Sequence, residues 1–101
     1  MTTIIPPTQR TIEISGHKIA VQLDDHLLSD RSHYGEWCYR DLSIIIDKTS
    51  DATVRKQTLL HEVIEAINEL HELDLEHNKI QTLATSLFQV LATNTDIFEK
   101  V

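Results

Sequence analysis

Thr58-Leu59-Leu60-His61-Glu62-Val63-Ile64-Glu65-Ala66-Ile67 reads as the middle of one long helix. At about 100° per residue, Leu59, Val63, Ala66 and Ile67, continued by Leu70 and Leu73, form an apolar stripe. His61, Glu62, Glu65, Asn68, Glu69 and Glu72 fall on the opposite half. Within that half, His61-Glu62-x-x-Glu65 sets His61 and Glu65 on one face, one turn apart, with Glu62 offset to the side. Two residues at i and i+4 that can hold a metal, with a glutamate after the first as general base, make the layout of a zinc-peptidase helix. The second ligand position holds Glu where that pattern ordinarily has His. Zinc accepts carboxylate oxygen, so the donor set still works, but H-E-x-x-E is less specific than H-E-x-x-H.

Outward from this helix the pattern changes period. Toward the N-terminus, Ser43-Ile44-Ile45-Ile46-Asp47 is the most β-prone run in the chain, and its three isoleucines predict a central strand buried on both faces. Glu36 to Arg40 predicts another strand, after a polar loop over Asp24 to Tyr34 with room for one helical turn. Arg10 to Ile14 and His17 to Leu23 alternate on either side of Ser15-Gly16 and predict a hairpin. Pro6-Pro7 keeps the first residues out of a helix, so residues 1–9 are expected as an extended arm. Asp51 or Thr53 can cap the helix, which is predicted over Thr53 to Glu72. Toward the C-terminus, Leu73-Asp74-Leu75 is a short connection. A second helix is predicted over Glu76 to Thr93, with Asp74 as cap and Ile80, Leu83, Ala84, Leu87, Val90 and Leu91 as its apolar stripe, flanked by Phe88. The domain thus spans 10–94, and 95–101 is a tail expected to fray. Strands first and helices second predict an α+β domain: three or four strands, then two packed helices on one face of the sheet.

Composition narrows the function. A net charge of -7 with no Lys/Arg cluster argues against a nucleic-acid surface. Cys38 is the only cysteine, which excludes an internal disulfide and fits a reducing cytoplasm. No apolar run approaches ~18 residues, so no membrane span is expected, and the first residues lack the form of a signal peptide.

A peptidase-type zinc site needs a third protein ligand and one open position. The best candidate is His77, which falls beside Ala84 on the second helix and so faces the first. The expected set is His61, Glu65 and His77 around Zn2+, with Glu62 as catalytic base. A simple antiparallel helix pair would leave the start of the second helix roughly 15 Å from His61 along the first, so a crossing or a bend has to bring them together. A peptide could add as a strand along Ile44 to Asp47, or along Glu36 to Arg40, whichever lies at the sheet edge. The competing reading is a solvated, Glu-rich helix face with no metal. His71 is expected to project into solvent; His17, His26 and His33 carry no ligand spacing; Cys38 fits strand packing. Asp24-Asp25 could hold a cation or be merely solvated.

Three further stretches belong together: Gly35-Glu36-x-x-Tyr39, Ile44-Ile45-Ile46-Asp47 and Gln57-Thr58-Leu59-Leu60-His61-Glu62. With Leu75-x-His77-x-x-Ile80-x-x-Leu83-x-x-x-Leu87-x-Gln89-Val90-Leu91, they resemble small phage and prophage zincin-like proteins in the style of the ImmA/IrrE metallopeptidase family. The resemblance covers about Gly35 to Asn94. It implies a minimal zincin fold, zinc on the helix bearing His61, Glu62 as catalytic residue, a peptide or protein substrate, and a cytoplasmic location in a phage host. In that family the third ligand usually comes from the next helix and is often acidic; His77 fills that place here, with Glu76 and Glu72 as substitutes. Glu65 departs from the family's second His. This leaves an alternative of another class: a non-catalytic phage protein of the same fold that binds a protein partner, with zinc structural or absent. A structural zinc would need a fourth ligand, from Glu72 or the arm.

Overall fold

The structure, a computed structural model, describes residues 9–101, the side chains of Gln9 and Arg31 excepted. The expected arm lies outside the described residues except for Gln9, which opens the first strand. Four strands and four helices follow in order: β1 (Gln9–Ile14), β2 (His17–Asp24), α1 (Leu27–Arg31), β3 (Gly35–Cys38), β4 (Ser43–Asp47), α2 (Ala52–Leu70), α3 (His77–Thr93) and α4 (Ile97–Lys100). This is the expected α+β arrangement. The tail is not wholly frayed, since it forms the short α4, none of whose residues is buried.

The β1–β2 hairpin turns on Ser15 and Gly16, at φ 52° and 84°. Positive φ at both central residues matches the right-handed twist of the strands, and glycine takes it without strain. The sheet order is β1-β2-β4-β3, with β2 and β4 parallel and the other two pairs antiparallel. β4 is therefore interior, and the sheet edge beside α2 is β3; of the two strands considered for an added peptide, Ile44 to Asp47 is excluded. The β3 strand stops at Cys38 rather than Arg40 because the chain turns over Tyr39 to Leu42, where Leu42 N–H bonds to the Tyr39 carbonyl.

Burial of β4 on both faces is also corrected. Ile44 and Ile46 are buried, but Ile45 on the opposite face is only half-buried. That face also carries exposed Thr11, Glu13 and Lys18, and no helix of the α2–α3 pair covers it. Ile14, Ile19, Ile44 and Ile46 meet Leu59, Val63, Ala66, Ile67 and Leu70 of α2 to form the main core. Asp47 ends β4 fully buried. Its carboxylate accepts Thr49 Oγ1 at 2.6 Å and the Leu28 N–H at 3.1 Å, which fixes α1 against the start of the α2 approach.

Of the two long helices, α2 lies on the sheet and α3 packs on α2. A second, smaller core joins Ile64 and Leu60 of α2 to Ile80 and Ala84 of α3 and to Leu75. Helix α2 is thus covered on two sides, more than a single stripe provides, and Leu73 of the expected stripe lies outside it, half exposed. Asp51 is the N-terminal cap of α2 and Glu76 that of α3, neither through a side-chain bond, so the expectation of Asp74 as cap is not met.

The connection between α2 and α3 doubles back. Glu72 and Asp74 both adopt left-handed backbone, at φ 52° and 57°. The Asn68 side chain then grips Leu75 from both sides: Oδ1 accepts the Leu75 N–H at 2.9 Å, and Nδ2 donates to its carbonyl at 3.4 Å. The chain has retraced about two turns of α2 before α3 begins. Further along, Gln57 Nε2 reaches Thr85 Oγ1, which confirms an antiparallel register. Asn68, placed by periodicity on the solvated half, is instead what sets that register. Asn68→Ala should lower unfolding stability by about 1–3 kcal/mol, since it leaves two half-buried backbone groups without their partners. Urea titration would register this, with Asn68→Asp in between because it keeps the acceptor.

Candidate metal centre

The doubled-back connection starts α3 opposite the middle of α2 rather than its end. As a result His77 lies against His61, with ring centroids 5.1 Å apart and planes at 60°. His61, Glu65 and His77 each present a ligand atom, and these atoms all lie within 4.8 Å of one another. The three residues expected from sequence are brought together, and the step that required a crossing or bend is supplied by the loop. Among the described residues, no fourth His, Cys, Asp or Glu joins the cluster. Glu72 instead lines a separate cavity, with Trp37, Tyr39, Glu65, Asn68, Glu69 and Asp74, so it does not close the site.

The donor set suits zinc chemically: two imidazole nitrogens and one carboxylate oxygen. Ligands on a tetrahedral zinc with bonds of about 2.1 Å lie roughly 3.4 Å apart, so the cluster would contract by at most about 1.4 Å. His77 is exposed at the start of its helix and can rotate to supply it. His61 is half-buried, and burial pulls its pKa below the ordinary histidine value. Repulsion from His77 adds to this, while Glu65 and a hydrogen bond with the Gln81 side chain oppose it. A depressed pKa keeps the ring neutral, which is the form that binds a metal. Gln81, one turn beyond His77, thereby helps orient His61. Sequence reading missed it, although i, i+4 spacing from a candidate ligand is a usable signal.

The structure also corrects the position of Glu62. It is not on a solvated face but 8% exposed, beneath the edge strand. Burial comes first, and the nearby charge of Glu65 second, in pushing its carboxyl up to about 7; the Trp37 backbone N–H, bonded to it, pulls the other way. Glu69, from the same half of the wheel, accepts Trp37 Nε1 at 2.8 Å, so β3 is tied to α2 at two levels.

β3 comes this close because its first residue is Gly35. A Cβ there would lie 2.5 Å from Thr58 Cγ2, 3.2 Å from Glu62 Cγ and 3.3 Å from Ile46 Cδ1. Glycine is needed here for close approach, not for an unusual φ. His61, Glu62, Glu65 and His77 all line one cavity of about 630 Å³, roofed by His33 to Glu36 from the start of β3. At its rim the His33 ring bonds Glu36 at 2.8 Å.

The remaining candidates have ordinary structural roles. His71 is exposed as expected, and bonds Ser15 Oγ at 2.6 Å, tying the β1–β2 turn to the end of α2. Asp24 accepts the His26 N–H, and Asp25 sits 3.9 Å from Lys48. Cys38 packs on the edge strand near Asp41. No helix among the described residues is long and apolar enough to cross a membrane.

Gly35→Ala should cost about 1–3 kcal/mol, because Thr58 and Glu62 must give way to the added methyl; thermal unfolding would measure it. Glu62 makes a second, pH-dependent forecast for metal-free protein. Its folded pKa, about 7, lies above the ordinary carboxyl value of 4.5, so the folded state holds more protons between those limits. The stabilising contribution is complete below the lower value and is lost as pH rises through about 7. Glu62→Gln cannot titrate. The difference in urea midpoint between wild type and this variant should therefore shift against wild type from acid to alkaline pH.

No family model, curated protein or solved structure matches this chain.

Proposed function

We propose that the chain is a small zinc-dependent hydrolase of peptide bonds. The reading rests on one observation: three metal-type donors, His61, Glu65 and His77, converge in the same cavity as a buried carboxylate, Glu62. Zinc held by those three would supply a Lewis acid for a substrate carbonyl and would acidify a water. Three protein donors would leave a position open for chemistry, where a structural site is ordinarily closed by four.

The chain's own groups account for the remainder. Glu62 Oε would be the site of proton movement: without metal its carboxyl is poised near neutral pH, and the group can accept a proton from water and return it to the leaving amine. A nearby cation would favour the carboxylate and shift this poise downward. Gln81 holds the His61 ring. The start of the edge strand, Gly35 and Glu36, lies at the cavity roof, and an extended peptide laid beside it would run past the cavity that His61 lines. That strand edge, rather than any specificity pocket, supports the reading of peptide substrates.

Elemental analysis of protein purified in zinc-containing medium tests the metal, and a quenched-peptide library tests hydrolysis. Wild type should carry near one zinc per chain. His61→Ala and His77→Ala should lose it; Glu62→Gln should keep zinc and lose hydrolysis by about 10²–10⁴-fold. Release of zinc by Glu62→Gln would make the assigned base a ligand. Zinc retained with no hydrolysis in wild type would favour the non-catalytic binding protein.

A further inference from the structure

A second cavity, of about 560 Å³, lies along the same seam between β3 and α2 as the first. Gly35, at the start of β3, lies against Thr58 and Glu62, while Trp37 Nε1 bonds Glu69. Strand and helix therefore run side by side from one cavity to the other, and Glu65 lines both. The second cavity is aromatic on the strand side. Trp37 and Tyr39 set their rings edge to face, with centroids 6.2 Å apart and planes at 78°. It is acidic on the helix side, where Glu65 and Glu69 of α2 are joined by Glu72 and Asp74 of the connection to α3. Among the described residues, no lysine, arginine or histidine lines it. The Glu72 and Asp74 carboxylates have no hydrogen-bond or ion-pair partner among those residues.

Aromatic rings facing carboxylates recognise a cation: the rings attract positive charge, and the carboxylates accept its N–H groups. Spacing decides which cation. A bare metal ion needs several donor atoms drawn together, and among the described residues the one such group is His61, Glu65 and His77. The carboxylates of the second cavity are spread along it instead. That arrangement suits a flat, extended cation whose N–H groups point several ways. Guanidinium has this form, with five N–H donors in a rigid fork and a face that stacks on aromatic rings. An ammonium group offers only three donors at one point. The net charge of -7 draws a basic peptide toward the chain as a whole.

We propose that this second cavity binds an arginine side chain of an extended peptide whose backbone continues past the His61 cavity. Glu62 to Glu69 spans roughly 10 Å of α2, which an extended peptide covers in about three residues. The arginine therefore sits about three residues from the bond to be cut. The ligand class stands on the second cavity alone; its distance from a cut bond rests on the hydrolase reading.

Trp37 is the only tryptophan of the chain, so its fluorescence reports on this cavity. The probe is a capped alanine–serine heptapeptide with one central arginine, titrated into full-length protein held in chelator. It should change the Trp37 emission saturably. The same peptide with citrulline, which keeps the shape and loses the charge, should bind about tenfold more weakly, with lysine between them. The double variant Glu72→Gln, Asp74→Asn should weaken the arginine peptide about tenfold and leave the citrulline peptide within about twofold. Both positions are exposed, and asparagine keeps the left-handed backbone of Asp74, so circular dichroism should stay that of wild type. With zinc supplied, peptides cut from a quenched library should carry arginine about three residues from the cut. Equal binding of arginine and citrulline peptides, full binding by the folded double variant, or hydrolysis without preference for arginine overturns the proposal. Arginine-selective binding without hydrolysis upholds the ligand class and overturns the hydrolase reading alone.

Discussion

Two hydrogen bonds between the Asn68 amide and the backbone of Leu75 set where α3 begins along α2. Everything at the candidate site follows from that placement. A connection leaving α2 directly would start α3 beside the last turn, and His77 would have no neighbour but the loop. The doubled-back chain instead sets His77 against His61 and Gln81 beside it. The reversal requires Glu72 and Asp74, neither of them glycine, to take left-handed backbone, at about 1–2 kcal/mol each. Burial of Ile64, Ile80 and Ala84 offsets this, so the small second core and the site geometry stand or fall together.

Glu62 and Asp47 show how one kind of group takes opposite character in a small domain. Both carboxylates are buried. Asp47 is held below its ordinary pKa, chiefly by the Thr49 hydroxyl and further by backbone N–H groups, which outweigh burial. Glu62 has one backbone donor, from Trp37, against burial and the charge of Glu65, and its pKa rises. Asp47 is thus fixed as an anion that anchors turns, while Glu62 is left able to change its protonation state. The difference lies in the donors aimed at Asp47 on one side, and in desolvation and the like charge of Glu65 at Glu62 on the other.

Helix α3 divides its length between two surfaces. Its first half closes the metal-type cavity and the second core; its second half carries the same apolar seam on to Leu87 and Leu91, which stay exposed. A chain of this size has little surface to spare for a sheltered core, and of its longest uncharged stretch, residues 80–95, only Ile80 and Ala84 are buried.

The sequence by itself determined the alternation of the strands, the two long helices and the pattern His61-Glu62-x-x-Glu65, because these are properties of neighbours along the chain. It also pointed to His77, since helical phase places that residue toward α2. Only the tertiary structure decided which strand forms the edge, because strand order depends on crossovers that leave no local trace. Only it decided that Glu62 is buried: the covering surface is β3, and that strand can approach because Gly35 has no side chain. And only it decided that His77 reaches His61. Helical phase fixes the direction of a side chain but not its height along a partner, and the height was set by Asn68 and two left-handed residues in a loop whose conformation no periodicity records.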